Sequence, residues 1–444
     1  MLIQYGGLLG LILIAVLPFE RTPSFDILML GTSITIRLNT VVAIALVMVS
    51  IPLLWSQRSW LIKMPYIGLG AFLLSYLLAV GLSNDLSRSI FVYAFTLLMV
   101  SIAVSLSFYV DKHFLERTKR VLYWSTWVVL AFGFYQYFGD IFGLSTAWTG
   151  LRADYTKVVF GFPRIQSVGL EPLYYANFLM IPFFVFATDF LHGKKEHPIL
   201  LIAITTQVVL TVSRGAFAGA IVGLVVLTIL SLRNKAKLMQ FLSFSGIVTL
   251  GLLLALLMTN LEIKQTSIDS KESGHKKSEA IVAQATNFDT QDDRDRNRAL
   301  AWMAFRQNPL FGLGPGGFDQ YARSKTDVYT GTPGRLIVNN EPLELLAEGG
   351  IVSFVALLAT LLWILWYATK LLWSKKLKGE YLSWGIGLVV YLTALAVQYQ
   401  TFSTLYIMHI WVAIGLLMGV VVSNQDKLNG RAKKVKSATG KNQK

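Results

Sequence analysis

The sequence predicts an all-α polytopic membrane protein, with about twelve transmembrane helices and one large extracytoplasmic loop containing short amphipathic helices. Three observations predict it. Of 444 residues, 54% are hydrophobic and only 15% charged, with mean hydropathy +0.55, whereas a soluble domain carries about 25% charged residues. Apolar segments of spanning length recur along the chain. The basic residues gather in alternate connections between those segments.

Taken in order, the segments run roughly 2–19, 38–55, 65–82, 88–110, 121–140, 171–190, 198–213, 215–232, 239–259, 343–372, 382–398 and 403–423. Met1 to Leu17 lacks a basic leading region and a small-residue cleavage site, so it reads as the first span. Phe25 to Asn39, polar and β-branched, reads as a short extracytoplasmic excursion. Four regions follow: helices 1–9 over 1–259, the large loop over 260–342, helices 10–12 over 343–423, and a basic tail over 424–444. The tail's Lys, Gly, Ser, Asn and Gln composition predicts disorder.

One set of connections contains Arg58 and Lys63; Lys112, Arg117, Lys119 and Arg120; Lys194 and Lys195; Arg233, Lys235 and Lys237; and Lys375, Lys376 and Lys378. Together with the tail, these account for the whole formal charge of +15. All of them fall on one side if the chain crosses twelve times with both termini cytoplasmic. The high pI then serves orientation and contact with anionic membrane lipid, not nucleic acid. Cysteine is absent, which excludes disulfides and thiolate chemistry. His113, His192, His197, His275 and His409 are scattered without a ligand pair, so no metal and no cofactor is expected.

The loop before the tenth span holds about eighty residues, enough for structure of its own. Thr266 to Asp293 is polar and reads as loose. Arg294 to Gln307 sets Leu300, Trp302, Met303 and Phe305 among arginines, as an amphipathic helix on a membrane surface would. Asn308 to Phe318 (Asn-Pro-Leu-Phe-Gly-Leu-Gly-Pro-Gly-Gly-Phe) is a breaker cluster that must turn sharply. No Lys-Ser or Lys-Thr follows its glycines, so it is no phosphate-binding P-loop.

The polar groups of the outer face are the candidate machinery. Asn339-Asn340-Glu341-Pro342-Leu343-Glu344-Leu345-Leu346-Ala347-Glu348-Gly349-Gly350 places carboxylates at the mouth of a span, where they either cap the helix or face partners and chemistry. Arg164 precedes the sixth span. Arg214 occupies the turn between the seventh and eighth, where Gly215, Ala216 and Gly219 allow close helix packing and a semi-buried arginine facing a cavity. A guanidinium fork suits phosphate, and a lone arginine could otherwise simply snorkel to lipid headgroups.

The order of these motifs resembles the O-antigen polymerase and O-antigen ligase superfamily of bacterial membrane glycosyltransferases. Ser213-Arg214-Gly215 resembles its Ser-Arg-Gly turn. Arg164 to Gly169 with Pro172 to Ala176 resembles its Arg…Gly…Pro-x-x-x-Ala approach. Asn308 to Phe318 resembles its Pro-Leu-x-Gly-x-Gly-x-Gly-x-Phe run, and Asn339 to Gly350 its His-Asn-x-x-Leu-x-x-Leu-Ala-Glu-x-Gly closure. The resemblance implies an enzyme of the bacterial cytoplasmic (inner) membrane, active on the extracytoplasmic face. It would transfer a glycan from an undecaprenyl-diphosphate-linked donor to a glycan or lipid acceptor, as polymerase or ligase, inverting the anomeric centre without a metal. It implies that Arg164 and Arg214 engage the donor's diphosphate. Asn339 stands where the family's ligases have histidine and cannot take a proton, so either Glu341 is the base or the good leaving group makes a base unnecessary. Asn340, Arg298 and Arg335 are further loop and acceptor candidates. A lipid-linked oligosaccharide flippase or transporter is the alternative class, but it would place charges near mid-span and show paired broken helices, and neither is present.

Overall fold

The computed structural model describes residues 2–21, 23–29, 32–56, 63–157, 161–194, 196–269, 289–326, 336–403 and 405–428. The long helices are α1 (Leu2–Val16), α2 (Leu38–Ser56), α3 (Met64–Gly81), α4 (Leu86–Tyr109), α5 (Lys112–Ile141), α6 (Pro172–Leu191), α7 (Pro198–Leu210), α8 (Arg214–Arg233) and α9 (Leu238–Asp269). After the loop helices α10 (Asp289–Gln307) and α11 (Phe318–Lys325) come α12 (Glu341–Trp373), α13 (Glu380–Gln398) and α14 (Met408–Leu428).

By length and composition, nine helices are able to cross a membrane among the described residues: α2, α3, α4, α6, α8, α9, α12, α13 and α14. Three segments expected as spans form helices that do not meet that measure. α1 and α7 are short, at 15 and 13 residues. α5 is long but opens on Lys112, Glu116, Arg117, Lys119 and Arg120.

Burial sorts the bundle into centre and periphery. The spanning windows of α6 and α14 are each 89% buried, whereas that of α9 is 17% buried. Outward residues such as Leu253, Leu257, Ile221 and Leu362 are apolar and exposed, as a surface solvated by lipid chains requires. α13 packs on α6 and on α8, and α12 packs on α3. Gly219 makes the α8–α13 approach possible, because a Cβ there would lie 2.7 Å from the Ala394 carbonyl oxygen.

Inside the centre, Asn177 on α6 donates to Gln398 Oε1 on α13 (3.0 Å) and accepts from Tyr391. Its Oδ1 also lies 3.1 Å from Nε2 of His409 on α14, whose Nδ1 faces Glu20 at 3.2 Å. At the far end of α6 from Glu171, Lys119 and Lys194 contact both Asp189 and Glu380. That lattice of charge laces α5, α6 and α13 together.

Four expectations need correction. Phe25 to Asn39 is not merely an excursion: Ser24–Met29 (β1) and Thr32–Arg37 (β2) form an antiparallel hairpin, with Asp26 opposite Thr35. The alternating, β-branched Thr-Ser-Ile-Thr-Ile-Arg of β2 suits a strand, and Asn39 already belongs to α2. α9 continues past residue 259 to Asp269, and α14 continues past Ser423 to Leu428. Of the stretch read as loose, 266–269 and 289–293 are helical, while 270–288 lie outside the described residues, as does the tail from 429.

Candidate functional site

The mouth of α12 is built by interruption. Gly350 has φ 67° and ψ −176°, a conformation essentially confined to glycine, and it breaks the helix after Gly349. The Gly-rich run 308–318 threads this break and satisfies both sides of it. Leu313 and Gly314 donate to the carbonyls of Ala347 and Glu348 (2.9 Å each), and Ile351 and Val352 donate to those of Pro309 and Leu310 (2.8 and 3.4 Å). Gly312, Gly314 and Gly316 all have positive φ. The run is thus a structural turn, and a Cβ on Gly350 would lie 2.2 Å from the Leu310 oxygen.

The side chain of Glu344 does not cap the helix, and Glu348, a turn further on, packs internally. The N-cap is Asn340, whose Oδ1 accepts from Leu343 N at 3.0 Å. Glu344 accepts from Val338 N (2.7 Å), folding the incoming chain back, and Glu348 accepts from Gly316 N (2.8 Å) and Phe318 N (3.2 Å). Glu341, Glu344 and Glu348 are all buried and lie on one helical face at i, i+3 and i+7. Asn339 has φ 58°, a conformation in which Asn, Asp and His are enriched.

The loop helix α10 lies on this mouth. It buries Leu300, Ala301 and Ala304 with Phe318, Ala322, Val338 and Ala347, and leaves Trp302 and Met303 exposed. The buried stripe is therefore Leu300 with two alanines, and of the four apolar residues singled out in the sequence Trp302 and Met303 face outward.

One turn gathers the predicted residues. The Tyr399 carbonyl accepts from Glu341 N at 2.9 Å. The Gln400 carbonyl accepts from Arg298 Nη2 (2.9 Å) and Asn340 Nδ2 (3.5 Å). Thr401 packs against Gly215, where a Cβ would fall 2.4 Å from its Oγ1. Ser213 caps α8 by accepting from Ala216 N, which sets Arg214 at the first helical position. Arg214 is exposed, where the sequence reading expected it semi-buried; the glycines around it bring helices together without covering its side chain.

Arg164 is half-buried and braces the same corner. Its Nε and Nη2 donate to the carbonyls of Thr211 and Val212 (3.2 and 3.3 Å), and its guanidinium lies 5.4 Å from the centre of the Tyr155 ring. Val212 has φ 48°, an outlier for a β-branched residue and a place where strain is stored beside Arg214. Burial lowers the affinity of Arg164 for its proton, and Arg214 adds to that effect while Tyr155 and Glu171 oppose it. Arg294, which the sequence reading did not single out, is likewise lowered by burial, then by Arg214 and Arg298. Arg214 thus repels both Arg164 and Arg294, and Arg298 repels Arg294, an arrangement that a bound anion would relieve. Arg335 lies outside the described residues.

Next to this row is a cavity of about 380 Å³ lined by Glu20, Arg37, Arg88, Tyr174, Glu344, Glu348 and other residues. Neither Arg164, Arg214, Arg298 nor Glu341 is part of its wall. Glu20, Arg37 and Arg88 were also missed. Each is a charge next to an apolar segment, and sequence alone does not separate it from an ordinary helix-end charge.

Residues 199–358, from α7 through the first turns of α12 beyond Gly350, match the family model described as O-Antigen ligase. No curated protein matches the chain. The family match covers the Ser-Arg-Gly turn, the Gly-rich run and the Asn339–Gly350 closure. It supports the O-antigen ligase and polymerase superfamily for this chain, and with it a membrane protein with a glycosyl-transfer role in surface-polysaccharide synthesis.

Proposed function

We propose that the chain transfers a glycan from an undecaprenyl-diphosphate-linked donor to an acceptor hydroxyl, at the extracytoplasmic face of a bacterial cytoplasmic membrane, as polymerase or ligase. The observation that carries this reading is the meeting of two turns: Arg298, Asn340 and Glu341 bond the 399–400 backbone, Thr401 of that turn packs against Gly215, and Arg164 braces the Thr211–Val212 corner just before Arg214. A diphosphate leaving group needs cations placed where its charge develops, and fixed guanidiniums meet that need. In this reading α1, α5 and α7 also cross the membrane, giving twelve spans. Both termini are cytoplasmic and the loop of 260–342 is outside, following the basic connections.

The acceptor oxygen attacks the anomeric carbon from the face opposite the diphosphate. The carbon–oxygen bond to diphosphate breaks with its electron pair, and the configuration inverts. Glu341, buried beside the turn, takes the hydroxyl proton as general base, and Asn339 orients the acceptor. The arginines carry the charge stabilisation, so the step calls on no metal.

The test is turnover of purified lipid-linked donor by variants that are expressed and inserted normally. Arg214→Ala is expected to abolish transfer and Arg214→Lys to retain part of it, because an ammonium keeps the charge without the fork. Full activity of Arg214→Ala would remove the diphosphate role.

A further inference from the structure

The cavity beside the arginine row has a mixed polar lining. Its wall carries three carboxylates, Glu20, Glu344 and Glu348, against two cations, Arg37 and Arg88. Tyr174 and Tyr406 add aromatic rings, and Asn39, Thr40 and Ser403 add small polar groups. At about 380 Å³ it lies within the range of small-molecule sites, roughly 300–1,000 Å³.

The carboxylates are held in place. Glu20 faces His409 at 3.2 Å and accepts from Leu170 N at 3.4 Å, while Glu344 and Glu348 accept from backbone amides. Fixed carboxyl groups accept hydrogen bonds from hydroxyl and amino groups, while Arg37, Arg88 and the tyrosine hydroxyls donate, a mixed set that suits a hydroxyl-rich ring. The sites are also joined. Glu341 continues the face of Glu344 and Glu348 toward the arginine-bearing turn, and the Phe402 ring lies 5.1 Å from Tyr399 of that turn and 6.2 Å from Tyr174 of the cavity.

We infer that this cavity is the acceptor subsite, taking the hydroxyl-bearing end of a neutral or amino-bearing glycan and presenting its attacking oxygen toward Glu341. This inference rests on the transfer reading above. The acceptor oxygen gains the bond to the anomeric carbon, the diphosphate departs with the electron pair of the broken bond, and the hydroxyl proton passes to a carboxylate.

Thiol protection tests it. Because the chain has no cysteine, Thr40→Cys and Val92→Cys each place a single thiol in the cavity wall, and Ser145→Cys is an exposed control outside it. The probes are oligosaccharides released by mild acid from the producing cell's own surface polysaccharide, and undecaprenyl diphosphate without sugar. Oligosaccharide at ten times its half-protecting concentration should slow labelling of both cavity thiols about tenfold and leave Ser145→Cys unchanged. A bulky maleimide on Val92→Cys should slow transfer far more than a methylthio group on the same thiol does. Protection by undecaprenyl diphosphate would make the cavity part of the donor site and overturn the inference, as would labelling that no oligosaccharide slows. Turnover by the unlabelled variants separates the two claims. Transfer without protection refutes the acceptor cavity alone, and absence of transfer in the unsubstituted protein refutes the transfer reading.

Discussion

Replacing Gly350 by alanine should detach the Gly-rich run from the mouth of α12. The new Cβ would stand 2.2 Å from the Leu310 carbonyl oxygen and 2.5 Å from Phe311 N, both backbone atoms that cannot rotate away. The backbone conformation itself, φ 67° with ψ −176°, costs a non-glycine residue about 1–3 kcal/mol. If the helix relaxes instead, the bonds from Leu313, Gly314, Ile351 and Val352 across the break are at risk, each worth about 0.5–1.5 kcal/mol net. Loss of strain-free geometry plus two of those bonds is about 3 kcal/mol, or roughly two decades in a local opening equilibrium. Hydrogen exchange on the detergent-solubilised protein reads this directly. Amides of 313, 314, 316 and 318 should exchange about a hundredfold faster, while those of α6 stay protected. Gly70→Ala, whose Cβ meets nothing within 4 Å, should cause no loss. Unchanged exchange in Gly350→Ala would refute the idea that the break and the run hold each other.

Glu341→Gln should lower turnover by about two to four decades, the usual weight of general-base catalysis, with donor binding little changed. Normal turnover in Glu341→Gln, together with a dead Asn339→Ala, would leave orientation by the asparagine as the essential function. Asn339→His should retain activity, since histidine is also tolerated at the φ of 58° found there; loss of expression would contradict that. Arg164→Ala should stop transfer and also loosen the Thr211–Val212 corner it braces, visible as a lower unfolding temperature than that of Arg214→Ala. For topology, an impermeant thiol reagent on outer-membrane-permeabilised cells should label Ser278→Cys and spare Ser437→Cys, and the reverse pattern would invert the membrane orientation.

Most of the bundle was legible because spanning helices announce themselves by apolar length: each of the twelve segments holds a helix, and among the described residues nine of those helices are long and apolar enough to cross a membrane. What remained hidden depends on contacts between distant residues. The hairpin of 24–37 is short, and its alternation is diluted by flanking apolar runs. At the site, Glu348 could be expected to pack internally from its place in the helix, and it does so by holding Gly316 and Phe318. No spacing rule announces that Gln400, one residue of a polar turn, collects Arg298 and Asn340. Arg294 was hidden among the charges of an amphipathic helix, and Glu20 gains meaning from Leu170 and His409, both far along the chain.

The polar ladder in the centre of the bundle has a bearing on the site's depth. Asn177 is bonded to both Tyr391 and Gln398, two positions about two helical turns apart on α13. Sliding α13 against α6 by even one turn, about 5.4 Å, would break both bonds in surroundings that supply no water to replace them. Tyr399 and Gln400 follow Gln398 directly, so the carbonyls that hold Glu341, Asn340 and Arg298 inherit that register. The ladder thus works as a depth gauge for the 399–400 turn and, on the proposed function, for how far a lipid-anchored diphosphate must reach to meet it.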